Sequence, residues 1–306
     1  MAFKNSTGFQ FTDSGVALKY VSGKRESHYV SETGNPGVSE TGDIPTNNLQ
    51  LYIKPSTYTS GTTISDSSGY NRTYDLKNGV THNTFPARFT FDGVDDRLEP
   101  ASNFSSDIVT NEGTFVAWVR RDGNQDSLAG IMFNRINNHV SGFHLHDTEL
   151  TLGYHWNNSS TTWGWDSEIS VPDATWCMVA LTVSATEVKA YLYTTTTTPT
   201  TAQNTNSHGS ATFQNIVIGR DPYGNREWKG DIGHALFYSS ALSQSQITSI
   251  YNATQNTYYG IIEDDALLLH LDAGNTSSYS GSGSAWNNLI SSDYHATLYE
   301  GSVFES

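Results

Sequence analysis

The densest run of side chains able to do chemistry lies between His144 and Glu168. Tyr154, Trp156, Trp163 and Trp165 fall within twelve residues, interleaved with Asn, Ser and Asp166. Sugars bind where flat aromatic faces stack on C–H surfaces and nearby amides or carboxylates accept hydroxyl hydrogens. The pattern therefore predicts a glycan or surface site, and Arg226 and Trp228, beside a later strand, can share it. Aromatics at strand period also pack cores, and Trp156 and Trp165 suit that role equally. Asp166 and Glu168, two residues apart on one strand face, come nearest to a carboxylate pair for acid–base work. A pair in a rim loop is ordinarily solvated or metal-bound. His144, His146 and His155 converge if their strands are neighbours, but lack the cysteine or further carboxylate of a transition-metal site. The chain has no Gly-x-Ser-x-Gly elbow, no phosphate loop and no His-Glu-x-x-His. The expectation is a protein that binds and is not an enzyme.

The elements that position these residues read as strands. Apolar runs recur at Leu49–Ile53, Phe89–Phe91, Gly113–Val119, Ala129–Phe133, Gly142–His146, Thr151–Trp156, Met178–Val183, Val188–Tyr193, Ile216–Ile218 and Ile232–Phe237. Turn residues separate them, and helical periodicity is scarce, which predicts an all-β fold of two antiparallel sheets. One helix is expected after Ser243, a cap-like residue followed by Ile247, Ile250 and Tyr251 on one face. With 36% hydrophobic and 12% aromatic residues, the chain can bury a large core. Cys177 is alone, so no disulfide framework exists, and its apolar strand makes it a buried, inert thiol. The formal charge of −15 excludes phosphate-driven nucleic-acid binding.

Several strings resemble laminin-G-like domains of the concanavalin A-like jelly-roll fold. ARFTFDGVDDRLEP looks like their Phe-x-Gly-x-Asp-Asp strand and GTFVAWVRRD like the strand that follows it. DATWCMVALTVSATEVKAYLY looks like the Trp-containing hairpin, and WKGDIGHALFYSSALSQSQI like the closing strand and turn. Four such strings in this order cover residues 48–260. The resemblance implies a two-sheet antiparallel jelly-roll sandwich that binds surfaces or glycans. It also implies a Ca²⁺ ion, a hard cation held by carboxylates and carbonyls, with Asp66, Asp231, Asp92 and Asp95 as ligands. Asx caps beside glycine are the alternative reading of each aspartate. Hydrolases of this fold carry Glu-x-Asp-x-x-Glu on one strand, a pattern absent here. One departure stands out. Family members turn through Asn-Gly after the tyrosine at 193, whereas Thr194–Thr198, Pro199, Thr200 and Thr201 follow here, predicting an extended strand or a longer exposed loop.

The two ends differ from this body. Residues 1–47 repeat VSETG at 30–34 and 38–42 and are poor in apolar residues, an arm that adds a strand or two and docks on a neighbour. Residues 261–306 carry 7 acidic groups and no basic one. They parallel residues 49–79 as a partial repeat of the opening hairpin, which cannot bury an apolar face by itself. It therefore packs in cis or completes a sheet in another subunit. No signal-peptide core opens the chain, and no run approaches the ~20 apolar residues of a membrane span. A lectin-like body without an export signal suits a virion assembled in host cytoplasm. The expected role is a capsid decoration protein or a tail-fibre or baseplate adhesin, oligomeric in the particle. Its partners are other virion proteins, through the arm and the hairpin, and host-surface glycans. The alternative is a secreted carbohydrate-binding module or glycoside hydrolase of the same fold.

Overall fold

The computed structural model describes residues 44–146 and 150–259 in full. It also describes four short strands before residue 30 and residues 271, 276–280, 282–289 and 295–297. The chain divides into two units, residues 40–258 and residues 1–39 with 259–306. In the second unit β1 (Phe3–Lys4) pairs with β2 (Gln10–Phe11), and β3 (Val16–Val21) forms a hairpin with β4 (Lys24–Tyr29).

The larger unit runs β5 (Leu49–Ile53), β6 (Thr63–Ser65), β7 (Thr73–Lys77), β8 (Thr81–Thr84), β9 (Ala87–Asp92), β10 (Arg97–Pro100) and β11 (Ile108–Thr110). It continues with β12 (Gly113–Arg121), β13 (Gly130–Ile136), β14 (His139–His146), β15 (Thr151–His155) and a short helix α1 (Ser160–Trp163). It ends with β16 (Cys177–Val183), β17 (Glu187–Tyr193), β18 (Thr200–Thr205), β19 (Ala211–Phe213), β20 (Val217–Ile218), β21 (Lys229–Tyr238) and α2 (Gln244–Tyr259). Two antiparallel sheets face each other. The front sheet is ordered β15-β14-β13-β20-β10-β7-β6, and the back sheet β18-β17-β16-β12-β21-β9-β8, with β5 also on β21. The threonine run after Tyr193 forms a loop and then the edge strand β18, paired with β17 from Thr200 to Thr205.

Alternation along the strands builds the core. Phe115, Ala117 and Val119 of β12, Phe143 and Leu145 of β14, and Phe237 of β21 point between the sheets. The rings of Phe115, Phe213 and Phe237 lie within 6.1 Å of one another, centroid to centroid. Cys177 is buried there, and burial pushes its thiol up to about 12, so it stays protonated.

Helix α2 covers the outer face of the back sheet. Ser243 Oγ accepts from Gln246 N–H (3.3 Å), and Gln246 Oε1 accepts from Ser243 N–H (2.9 Å), a reciprocal cap. Tyr258 stacks on Trp118 at 4.4 Å, and the Trp118 indole N–H donates to Thr254 Oγ1 at 2.7 Å. The helix is sixteen residues long, longer than the apolar trio Ile247, Ile250 and Tyr251 announces. Among the described residues no such helix lies over the outer face of the front sheet, which carries α1 and the loop from Arg220 to Trp228.

In the smaller unit β22 (Ala285–Asn287) pairs with β23 (His295–Thr297). Trp286 sits opposite Ala296 as Ile64 sits opposite Tyr74 in the β6–β7 hairpin. Ser65 and Thr73 bound the turn in one hairpin, Asn287 and His295 in the other, across the same span. The expected partial repeat of the opening hairpin spans these two strands. The preceding apolar strand of that repeat, and the side chains of the arm, lie outside the described residues.

Candidate functional site

On β13, β14 and β15 the residues that alternate with the core line the front sheet's outer face. They are Phe133 and Arg135, His144 and His146, and His155. Glycine lets the rings lie flat across the strands, since a Cβ on Gly153 would come within 3.1 Å of both His144 and His146. The His144 and His155 rings stand 5.4 Å apart, and Phe133 lies 5.9 and 5.4 Å from them. Both histidines are buried, and burial lowers them to about 4 and about 2, so each is neutral in the fold. His144 Nδ1 lies 3.0 Å from Leu145 O, while His144 Nε2 and His155 Nδ1 are buried without a hydrogen-bond partner.

Two aromatic rings rise from this floor into solvent. Trp163, on α1, stands 5.4 Å from the His155 ring and is 44% exposed. The Thr162 hydroxyl braces α1 by donating to Ser159 O and accepting from Trp156 N–H. Tyr223, 60% exposed, stands on the Arg220–Trp228 loop, with the guanidinium groups of Arg226 and Arg135 at 4.7 and 5.1 Å from its ring centre. Asp221 fixes that loop. It is buried, accepts from Arg135 Nε (2.5 Å) and Nη2 (2.9 Å), and accepts from Arg226 Nη1 (2.6 Å). Gly130 permits the approach, because a Cβ there would sit 2.0 Å from Asp221 N.

The residues expected from sequence to form an aromatic site separate into two groups. Trp163, Asp166 and Arg226 reach the front face, with Asp166 Oδ2 4.0 Å from His146 Nδ1. Trp165 is half-buried, edge-on to Tyr154 at 5.6 Å. Tyr154, Trp156 and Trp228 are corrections: all three are buried and have no ring face to offer a ligand. Strand alternation turns Tyr154 inward, where its hydroxyl meets His208 Nε2 at 2.8 Å, and the Trp156 indole N–H donates to Gly209 O at 2.8 Å. Asp166 and Glu168 do not share a strand. They lie in a loop where Asp166 Oδ1 accepts from Glu168 N–H and Glu168 takes φ 58°. Tyr223, Phe133 and Arg135 are additions. A tyrosine in an Asp-Pro-Tyr-Gly-Asn loop was a usable signal, but the Arg135–Asp221 pairing, 86 positions apart, left no trace in sequence.

The expected calcium ligands divide as well. Asp66 Oδ1 accepts from Tyr52 and Ser68 N–H and its Oδ2 from the Ser68 hydroxyl, with Arg72 at 3.6 Å. Asp231 is held by Arg120 (2.7 Å), Arg88 (3.3 Å) and the Thr90 hydroxyl (2.5 Å). Guanidinium groups already neutralise both aspartates, so neither fits a cation. Asp92 and Asp95 do fit, with Asp96 as a third ligand. One oxygen from each lies within 4.8 Å of the others. Asp96 Oδ2 accepts from Asp92 N–H, whereas its buried Oδ1 has no partner. Burial raises the Asp96 carboxyl and the charges of Asp92 and Asp95 push it the same way, against the hydrogen bond from Asp92 N–H. A hard cation would satisfy that oxygen and relieve the repulsion. Among the described residues, the histidine rings bring no such trio of ligand atoms together.

Solved structures share the architecture. The receptor-binding domain of a botulinum neurotoxin C/D mosaic serotype aligns with TM-score 0.51 and 17% identity over 68% of this chain and 51% of that one. Trypanosoma rangeli sialidase in complex with sialic acid aligns with TM-score 0.50 and 13% identity over 83% and 48%. Domain 4 of AbnA, an extracellular arabinanase from Geobacillus stearothermophilus, aligns with TM-score 0.49 and 17% identity over 66% and 98%. This chain therefore spans about half of the neurotoxin domain and of the sialidase. At these identities the likeness to the neurotoxin domain and the sialidase is one of fold alone. No curated protein sequence matches the chain. Residues 92–248, just over half of the chain, match the Concanavalin A-like lectin/glucanases superfamily, and with two antiparallel sheets enclosing one core the chain belongs to that superfamily.

Proposed function

We propose that the larger unit is a non-catalytic carbohydrate-binding domain whose ligand lies across the outer face of the front sheet. One observation carries this reading: Trp163 and Tyr223 are exposed on a floor of neutral histidines, with charged groups at its rim. Exposed aromatic faces cost free energy in water and are retained where a ligand covers them. The test is binding of the full chain to a glycan array. Trp163→Ala should lower affinity about tenfold, the loss expected when a stacking face worth about 1.4 kcal/mol is removed. Binding that ignores both Trp163→Ala and Tyr223→Ala retires the site.

A hydrolase is the competing reading. Its acid would be Glu227, whose carboxyl burial raises, but Arg220 lies 3.1 Å away and favours the charged form. Reducing ends released from a polysaccharide by the intact protein, and lost in Glu227→Gln, would overturn the non-catalytic assignment.

The wider role we propose is a surface protein of a virion that touches host glycans through this face and neighbouring virion proteins through its two ends. The repeated hairpin register at residues 285–297 supports the second part, since an unaccompanied hairpin needs a partner sheet. A chain lacking residues 1–47 and 261–306 should keep its glycan binding and lose assembly. Normal assembly of that truncated chain would refute the docking role. Calcium at Asp92, Asp95 and Asp96 is part of the same proposal, as a lock on the turn between β9 and β10.

A further inference from the structure

Beside the histidine floor, the outer face of the front sheet holds a cleft of about 280 Å³. Arg97 and Glu99 of β10, Arg135 of β13, Val217 of β20, Asn215 and Arg220 line it. The chain as a whole carries 16 basic against 31 acidic residues. Three guanidinium groups and one carboxylate, Glu99, line the cleft; Glu99, Asp221 and Glu227 pair with the three arginines one to one, so what the lining offers an anion is N–H donors and not a net positive charge.

The three arginines are held in place without being used up. Arg135 donates from Nε and Nη2 to Asp221. Arg97 donates from Nε to Glu99 (2.7 Å) and from Nη1 to Asp95 O (3.2 Å). Arg220 donates from Nη2 to Gly224 O (3.1 Å), and its Nε lies 3.1 Å from Glu227. Arg135 Nη1, Arg97 Nη2 and Arg220 Nη1 have no protein partner among the described residues. Buried Asp221 and Glu227 brace two of the forks from behind, so little side-chain entropy remains to be lost on binding. Planar guanidinium groups match the oxygens of a carboxylate or a sulfate ester. Val217, at the cleft wall, supplies apolar surface for a C–H face.

We infer that this cleft is a subsite for an anionic saccharide, a sugar bearing a carboxylate or a sulfate ester. The inference deepens the glycan-binding assignment and rests on it. Calorimetric titration of the full chain with three probes tests it: oligogalacturonate, a carrageenan oligosaccharide, and a neutral xylo-oligosaccharide. Either anionic probe should bind more tightly than the neutral one and weaken as salt is added, and the arm that binds identifies the anion. Arg97→Gln with Arg220→Gln should lower that affinity at least about tenfold, as expected for losing charge-assisted hydrogen bonds. Glu99→Gln should tighten it about threefold by removing one like charge at the cleft wall. A gain of affinity is not an effect that misfolding produces. Preference for the neutral probe, or anionic binding unmoved by all three substitutions, overturns the subsite and leaves the glycan-binding assignment standing. Failure to bind any of the probes or any glycan on the array overturns both.

Discussion

Acid should unfold this protein through its histidines. His144, His155 and His234 are 1, 5 and 1% exposed. Burial lowers them from 6.5 to about 4, about 2 and about 3, with added pressure on His155 from His144, Arg135 and Arg226 and on His234 from Lys54. Each is neutral in the fold and takes a proton near 6.5 once unfolded. Below that pH the unfolded chain therefore binds more protons than the folded one, and stability falls as the solution is acidified. The contribution is complete above the unfolded value and is lost as pH drops through 6.5 toward the folded values. By about pH 5.5 each histidine removes about 1.4 kcal/mol, and the three together about 4 kcal/mol. That is a large part of the ~5–15 kcal/mol that holds a typical domain. His82 and His208, lowered by burial too, act in the same direction. Urea unfolding at several pH values, followed by circular dichroism, measures the effect as the slope of stability against pH. The slope near about pH 5.5 should correspond to about three protons, and His234→Gln should remove about one of them. A stability that stays flat down to about pH 5.5, or a slope that His234→Gln leaves alone, refutes the reasoning.

Other expectations concern the packing and the two charged centres. Gly233→Ala places a Cβ 2.0 Å from the Tyr258 hydroxyl, which also accepts from His234 N–H. Tyr258 is buried against Trp118 and Trp176 and cannot step aside, so calorimetry should show a loss of about 1–3 kcal/mol, and an unchanged melt would mean that α2 is loosely docked. Asp221→Ala strands the guanidinium groups of Arg135 and Arg226 and should cost about 3–5 kcal/mol. Combining it with Arg135→Leu should cost less than the two separate losses added together, and strict additivity would deny that the two groups are coupled. Calcium should raise the melting temperature in the wild type and not in Asp96→Asn. The folded pKa of Asp96 is raised, so its penalty grows as pH climbs from 3.8, and the calcium effect should be larger near neutral pH than in acid. Indifference to both calcium and EDTA would end the metal proposal.

Sequence shows most clearly what sidedness imposes. Long strands buried on both faces, such as Gly113–Arg121 and Cys177–Val183, announce themselves as apolar runs. Polar and short strands do not. Thr63–Ser65, Thr81–Thr84 and Thr200–Thr205 are held by hairpin partners next to them in the chain, and Arg97–Pro100 by strands farther off, not by an apolar pattern of their own. The same limit applies to the site. Period-two histidines predict that His144 and His155 share a face, and they do. Which aromatics face outward depends on strand phase, so Tyr154 and Trp156 read like Trp163 although they pack inward. The aspartates were harder still, because nothing near Asp231 in sequence tells that Arg88 and Arg120 reach it from two other strands.

The two outer faces of the sandwich explain where binding can occur. Trp118, Tyr193 and His234 on the back sheet are large side chains turned away from the core, and α2 covers them with Tyr251, Thr254 and Tyr258. The front sheet turns comparable groups outward (Phe133, His144 and His155) and, among the described residues, receives a four-residue helix and a loop tied down by Asp221. Two of its imidazole nitrogens are buried without a partner, a cost of about 1–3 kcal/mol each that bulk water does not relieve. In the reading proposed above, a sugar ring would cover the exposed face of Trp163, which stands over these buried rings. The back face is closed by α2, whereas the front face is where we propose that a ligand binds.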